Sequence, residues 1–200
     1  MSEISAAQVK ALRDATGAGM MECKAALKEA NGDLEEAKLI LRKRGLAQAG
    51  KKSGRATSEG LIGSYIHMGG KIGVLVELNC ESDFVARTDD FQTLLRELSL
   101  QVAASSPQYV RREDVPADIL DRERSVYRAQ MENSGKPAPV IDKIIEGKLG
   151  SFYEQVCLLD QPSIRDPKQT ITQLLQAAIA KLGENISVAR FIRFKLGEGN

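Results

Sequence analysis

The sequence predicts an α+β fold, in which helices and an antiparallel sheet form separate parts of the chain. Apolar residues recur at helical spacing over residues 1–45 and again from 88 to 182. Between them, residues 58–80 alternate apolar and other side chains on either side of a Gly-Gly pair, which is typical of a β-hairpin. A second alternating run at 186–196 predicts a strand that joins the hairpin. We therefore expect a small antiparallel sheet covered by helices on one face.

Residues 1–45 are predicted to form an N-terminal three-helix module. Ser5 and Gln8 make a capping-box pattern that opens the first helix, and Asp33 caps the third. Glycines between the first two helices permit the backbone angles of a tight turn. A small three-helix unit with an apolar, glycine-flanked turn is similar to a ubiquitin-associated fold, and this likeness indicates protein binding.

Met20 and Met21 are adjacent at the start of the second predicted helix. Neighbouring helical positions point in different directions, so both side chains cannot face the core. Exposed methionine suits an adaptable contact surface. The alternative is that one methionine packs in the core and the other has no role, and the sequence leaves both readings open.

The segment 46–56 is predicted to be a basic linker that follows a helix end at Gly45. Between residues 42 and 55 the chain carries six basic residues and no aromatic side chain. Without aromatics to stack bases, a single-stranded nucleic-acid platform is unsupported. We expect a solvated linker, with contact to a partner as the alternative.

The remaining core, 57–200, is predicted to contain the hairpin, four helices and the final strand. The helices are expected at 88–105, 116–133, 137–157 and 167–182. The second and third should form a helical hairpin. Asp166-Pro167 matches a cap followed by proline at the first helical position, which places the start of the last helix there.

The junction between the hairpin and the first core helix contains Ser82-Asp83-Phe84-Val85. Phe84 stands outside both periodic faces and beside a carboxylate, and binding residues often lie on such connections. The competing interpretation is that Phe84 packs the following helix onto the sheet. On composition alone that interpretation is favoured, because most aromatic side chains are core residues.

Composition excludes several classes of function. A net charge of +1 argues against general affinity for nucleic acid or anionic membranes. The apolar runs fall short of the roughly 20 residues that span a bilayer, and the N-terminus lacks signal-peptide order. Three widely spaced cysteines fit reduced thiols. We expect a soluble, cytoplasmic protein.

Catalytic signatures are weak in this sequence. His67, the single histidine, and Cys80 are the one pair that a nucleophilic hydrolase could use, and no orienting carboxylate accompanies them. The scattered Cys and His residues lack zinc spacing, and Asp83, Asp89 and Asp90 match no calcium loop. We expect neither catalytic chemistry nor a bound cofactor or metal.

Two long signatures of the elongation factor Ts family have close counterparts here: Val9–Arg13 followed by Thr16–Leu27 resembles the first, and Gly70–Arg87 resembles the second. Shorter blocks at Val156–Pro162 and Gly183–Ile186 match the family as well. The signatures occur in the right order, and the resemblance spans nearly the whole chain.

The resemblance implies a guanine-nucleotide exchange factor for elongation factor Tu, with no catalytic chemistry of its own. In that family the helical module docks on the nucleotide-binding domain of Tu. Carried over by motif, the partner contacts are Leu12, Arg13, Met20, Met21 and Lys24.

The family segment Thr-Asp-Phe-Val is implicated in dislodging magnesium from Tu, and it corresponds here to Ser82, Asp83, Phe84 and Val85. Serine in place of threonine keeps the hydroxyl and lacks a methyl group.

Longer family members carry a doubled core, and this chain resembles the short form, in which two subunits together replace it. A homodimer is therefore expected. The alternative function is a ubiquitin-associated-type helical adaptor without exchange activity, for which residues 1–45 would suffice and Phe84 would belong to the core.

Overall fold

The computed structural model describes residues 4–131 and 134–198. In this part of the chain eight α-helices accompany a three-stranded antiparallel sheet, which confirms the predicted α+β class. The helices are α1 (Ala6–Thr16), α2 (Met20–Glu29), α3 (Leu34–Lys52), α4 (Asp83–Ala86), α5 (Asp89–Ser105), α6 (Ala117–Met131), α7 (Ala138–Val156) and α8 (Ile171–Leu182). The strands are β1 (Glu59–Ile66), β2 (Ile72–Cys80) and β3 (Ile186–Lys195), in the order β1-β2-β3.

The chain divides into two compact units. The first contains Met1–Leu61, Leu78–Leu94 and Gln173–Ser187, and the second contains Ile62–Glu77, Leu95–Thr172 and Val188–Asn200. This division differs from the predicted boundaries at 45 and 56, because the helical module shares its unit with segments from two later parts of the chain.

In the first unit, α1–α3 form the module that the sequence predicts. The Ser5–Gln8 capping box is present, and the Asp33 carboxylate accepts hydrogen bonds from the N–H groups of Glu35 and Glu36 at 2.8 and 2.9 Å. A cluster of buried side chains from all three helices fills the centre, and it comprises Val9, Leu12, Cys23, Ala26, Leu27, Ala30, Ala37, Ile40 and Leu41.

Helix α3 does not end at Gly45, so the prediction of a linker is wrong for residues 46–52. A Cβ atom at Gly45 would lie 3.1 Å from the Cβ of Ala180 in α8, so the glycine marks a close approach between two helices. Ala49 is buried one turn later, and packing of this kind offsets the roughly 1 kcal/mol that glycine costs inside a helix.

In the second unit, the hairpin turn and one sheet face follow the predicted pattern. Gly69 and Gly70 both adopt positive φ, at 90° and 68°, which only glycine tolerates easily. A Cβ atom at Gly63 would lie 2.6 Å from the Leu95 side chain, and the Arg193 guanidinium donates to the carbonyl of Ala103. Helix α5 therefore covers one face of the sheet.

Helices α6 and α7 form the expected helical hairpin. Arg128 pairs with Asp142 at 3.1 Å, and the Lys148 ammonium lies 5.2 Å from the centre of the Tyr127 ring. The predicted end of α6 at 133 lies outside the described residues, which stop at Met131 on that side. At the base of α7, Val156 and Cys157 pack with Val115.

Helix α8 begins at Ile171, four residues later than predicted. Asp166 and Pro167 instead form a turn, in which the N–H of Gln169 donates to the Asp166 carbonyl at 3.0 Å. Aspartate followed by proline is also the signature of a type I turn, and the sequence alone did not separate the two possibilities.

Candidate functional site

The junction segment forms a single exposed turn of helix, α4, between β2 and α5. Ser82 has extended backbone angles and caps α4, with its hydroxyl accepting from the Val85 N–H. Phe84 is 76% exposed, whereas Val85 and Ala86 are buried. The interpretation of Phe84 as a core residue is therefore wrong, and the corner turns its one aromatic ring toward solvent.

The buried side of the corner explains why Phe84 points outward. Val85 and Ala86 face the interior, and the Thr88 hydroxyl donates to the Val85 carbonyl at 2.7 Å. The same hydroxyl accepts from the Phe91 N–H in the first turn of α5. With two of four α4 residues held inside, the side chains of Asp83 and Phe84 lie on the opposite side.

Asp83 is exposed and forms an ion pair with Arg87, with 2.6 Å between the carboxylate and the guanidinium. Both side chains are solvated, and such a pair contributes at most a few tenths of a kcal/mol to stability. The carboxylate therefore remains available to exchange Arg87 for a group on another protein.

A hydrogen-bond network ties the start of the corner to the segment after α8. The Glu184 carboxylate accepts from the N–H groups of Glu81 and Ser82, at 3.1 and 2.9 Å, and from the Ser82 hydroxyl at 2.6 Å. In return, the Glu81 carboxylate accepts from the Asn185 N–H at 2.6 Å. The Asn185 side chain donates to the Arg55 carbonyl at 2.8 Å.

Sequence reasoning missed this network. Gly183–Ile186 matches the family as a block, but the sequence pattern assigns no role to its carboxylate and amide. No spacing rule connects Glu184 with Ser82, since the two residues are 102 positions apart.

The predicted partner contacts of the helical module divide into exposed and buried residues. Met20 and Met21 are 47% and 76% exposed, and Arg13 and Lys24 are exposed too. Leu12 is 0% exposed and lies in the core of the module. Leu12 therefore cannot contact a partner directly in this conformation, whereas the other four side chains are accessible to one.

The turn between α1 and α2 contacts a lysine from α8. Gly17 has φ of 68°, and a Cβ atom there would lie 2.9 Å from Cε of Lys181. The Lys181 ammonium pairs with Asp90 in α5 at 2.7 Å. Lys181 therefore connects the helical module to α5 within the first unit.

Cys80 and His67, the pair that a hydrolase would require, have separate hydrogen-bond partners. The Cys80 thiol is buried and donates to the Ser82 carbonyl, while His67 Nδ1 is 2.9 Å from the Tyr65 hydroxyl. Burial raises the pKa of the Cys80 thiol, and the Glu184 carboxylate raises it further. Both effects disfavour the thiolate that a nucleophilic cysteine needs.

Across residues 4–131 and 134–198, no group of three or more His, Cys, Asp or Glu side chains is placed to hold a metal ion. None of the helices in this range is both long enough and apolar enough to span a bilayer.

Comparison with known proteins finds one family model, described as Elongation factor TS, that matches residues 3–198. A relative named elongation factor Ts from Solibacter usitatus is 57% identical over 198 residues, which cover 99% of this chain and 93% of the relative. Another with that name, from Fervidobacterium nodosum, is 61% identical over 196 residues, covering 98% of this chain and all of the relative. A third, from Coprothermobacter proteolyticus, is 60% identical with the same coverage.

Proposed function

The chain belongs to the elongation factor Ts family and so has a role as a translation elongation factor, and we propose that it acts on elongation factor Tu. It binds Tu in the GDP-bound and nucleotide-free states and accelerates release of GDP, so that GTP can rebind. It works without catalytic chemistry or a cofactor of its own. It acts in the cytoplasm, and it needs no nucleic acid or membrane.

The helical module docks on the nucleotide-binding domain of Tu through Arg13, Met20, Met21 and Lys24. The exposure of both methionines supports this role, because unbranched thioether side chains adapt to a partner surface. Leu12 contributes to docking indirectly, because its buried side chain packs α1 against the other two helices.

The segment Ser82–Val85 loosens the nucleotide site of Tu. Magnesium bridges the nucleotide phosphates to the GTPase and neutralises charge there. Phe84 inserts near that ion and displaces the groups that hold it, while Asp83 orients the segment. The 76% exposure of Phe84 on a short turn with a buried base is the observation that carries this proposal.

The energetics require both surfaces. Exchange is a coupling between two ligands of Tu, namely the nucleotide and this chain. If the chain lowers the affinity of Tu for nucleotide by some factor, nucleotide must lower the affinity of Tu for the chain by the same factor. A 10⁴-fold effect needs about 5.5 kcal/mol of differential binding. Burial of one phenylalanine supplies about 1.5–3 kcal/mol. The helical module and the rest of the interface supply the remainder.

Release of fluorescent GDP from Tu tests the proposal, with the wild-type chain and Phe84→Ala compared. We expect fast release with the wild type and slow release with Phe84→Ala at unchanged thermal stability. Equal rates would leave exchange standing and remove the role of Phe84. No acceleration by the wild type would overturn the proposed function and favour the adaptor alternative.

We further propose that the chain is a homodimer in solution, and a set of exposed apolar side chains on the sheet supports this. In the second unit, large apolar side chains lie on the face opposite α5: Ile62, Ile66, Leu75, Ile192 and Phe194. Exposed apolar side chains grouped on one face of a sheet often mark a protein interface. The occupant that we propose is the same face of a second copy, related by two-fold symmetry.

Light scattering during gel filtration tests this second proposal. The wild type should elute as a dimer, Leu75→Glu should shift it toward monomer, and Val126→Glu, at an exposed position on α6, should leave it unchanged. A strict monomer at micromolar concentration, both alone and with Tu, would overturn the homodimer.

A further inference from the structure

We propose that Glu184 is a positioning residue for Phe84, holding the corner in the one conformation that presents the ring to Tu. The inference rests on the proposed function and adds a residue that acts on the site from a distant part of the chain. Its basis is the set of hydrogen bonds that converge on one carboxylate from the residues immediately before α4.

Helix α4 is too short to define its own shape. Its four residues give one turn, closed by the Ala86 N–H to the Ser82 carbonyl at 3.3 Å and the Arg87 N–H to the Asp83 carbonyl at 3.2 Å. A single turn is unstable in isolation, because nucleating a helix fixes several backbone angles for one hydrogen bond. The orientation of Phe84 must therefore be imposed by contacts outside α4.

Two sets of contacts surround α4. On the C-terminal side, burial of Val85 and Ala86 fixes where the turn sits. On the N-terminal side, the Glu184 carboxylate gathers three donors from Glu81 and Ser82. The first set anchors the inner side of the turn, and the second determines the direction in which the chain enters it.

Ser82 transmits this constraint directly to α4. Its hydroxyl donates to Oε1 of Glu184 at 2.6 Å and accepts from the Val85 N–H at 3.4 Å. The carboxylate therefore orients the same oxygen that caps the helix. Hydrogen bonds to an ionised acceptor are stronger than neutral ones, so Glu184 stabilises one rotamer of Ser82 and one entry angle of the chain.

Glu184 is itself held on both sides along the chain. Gly183 before it has φ of 80° and ends α8, and Ile186 after it is buried at the start of β3. The adjacent Asn185 is buried and donates its backbone N–H to Glu81. The two glutamates thus bind each other's segment, and the corner is fixed relative to the end of α8.

The test measures fluorescent GDP release from Tu at increasing concentrations of the full chain. The variants are Glu184→Ala, Glu184→Gln, Phe84→Ala and the double variant Glu184→Ala/Phe84→Ala. Glu154→Ala, which removes an exposed carboxylate from α7, is the matched control. Circular dichroism and thermal melting establish that each variant is folded.

We expect Glu184→Ala to lower the maximal release rate about tenfold, as for the loss of a charge-assisted set of hydrogen bonds. The half-saturating concentration should change by less than about threefold, because docking through the helical module is intact. Glu184→Gln should restore most of the rate, since its amide can accept from both N–H groups and donate to Ser82. Glu154→Ala should match the wild type.

The double variant separates positioning from general stabilisation. If Glu184 acts through Phe84, then Glu184→Ala should change the rate by less than about twofold in a chain that already lacks the ring. An equal loss in both backgrounds would overturn the inference, as would a full rate for Glu184→Ala alone. If the wild type fails to accelerate release, the proposed function fails instead.

Should Glu184→Ala fail to fold, Ser82→Ala takes its place in the same cycle. It removes the hydroxyl that both Glu184 and Val85 contact and leaves the backbone donors in place. A loss of rate that disappears in the Phe84→Ala background supports the positioning role, and a loss that persists there overturns it.

Discussion

The turn between α1 and α2 and the corner at α4 both expose large apolar side chains, but they are stabilised by different kinds of contact. The first turn is built locally: Gly17 takes a left-handed conformation and Glu22 reaches back to the Gly19 N–H three residues earlier. The corner instead forms hydrogen bonds with Glu184, more than a hundred residues away. A locally built turn tolerates change elsewhere in the chain, whereas the corner should lose its geometry when a remote contact is removed.

The largest expected effect is a difference in stability between a variant in the core of the helical module and a variant on its surface. Leu12→Ala should destabilise the chain by about 2–5 kcal/mol, because it leaves a cavity among fully buried side chains. Met21→Ala, at an exposed position in the same module, should change stability by less than about 0.5 kcal/mol. Denaturant unfolding monitored by circular dichroism measures both variants. Equal losses would mean that Met21 also belongs to the core.

The second prediction separates the roles of the two exposed regions. Phe84→Ala should lower the maximal rate of GDP release by roughly 10- to 100-fold, the equivalent of one buried phenylalanine. Met21→Ala should instead raise the half-saturating concentration with little change in maximal rate. The reason is that the helical module is expected to contact Tu equally well before and after GDP leaves. Stopped-flow fluorescence over a concentration series distinguishes these effects. A fall in maximal rate for both variants would remove the distinction between docking and loosening.

The third prediction tests whether the first turn is locally built. Gly17→Ala should cost about 1–2 kcal/mol, because φ of 68° is strained for any residue with a Cβ atom. The new methyl group would also lie too close to the Lys181 side chain, whose flexible end can move away. Lys181→Ala serves as the comparison, and its loss should be smaller because the pair with Asp90 is solvent-exposed. A larger loss for Lys181→Ala in thermal melting would show that the turn depends on its contact with α8.

The smallest expected effect concerns chemistry at the corner. Cys80→Ala should leave the rate of GDP release within about twofold of wild type, because the buried thiol only supports the Ser82 carbonyl. Its stability cost should be about 1 kcal/mol, as for a small buried side chain. Loss of activity in a folded Cys80→Ala chain would revive the hydrolase interpretation.

Much of the architecture follows from patterns that are local in sequence. The Ser5 and Asp33 caps, the hairpin around Gly69 and Gly70, and the periodic face of α5 each depend on residues a few positions apart. Such signals identify where an element exists, and they did so for each helix longer than one turn. They are weaker at boundaries, where Gly45 and Pro167 each fit two structures.

What the sequence determined by itself is the α+β class, the order of the elements and the family, because periodicity, caps and signature order require no knowledge of remote contacts. The tertiary structure alone decided that α3 continues past Gly45, where it packs against Ala180, and that Leu12 lies in the core of the helical module. It also decided that Phe84 faces solvent and that Glu184 accepts hydrogen bonds from the residues just before the turn that carries it. Exposure and remote hydrogen bonds depend on which distant segments return to the same place, and no local pattern records that.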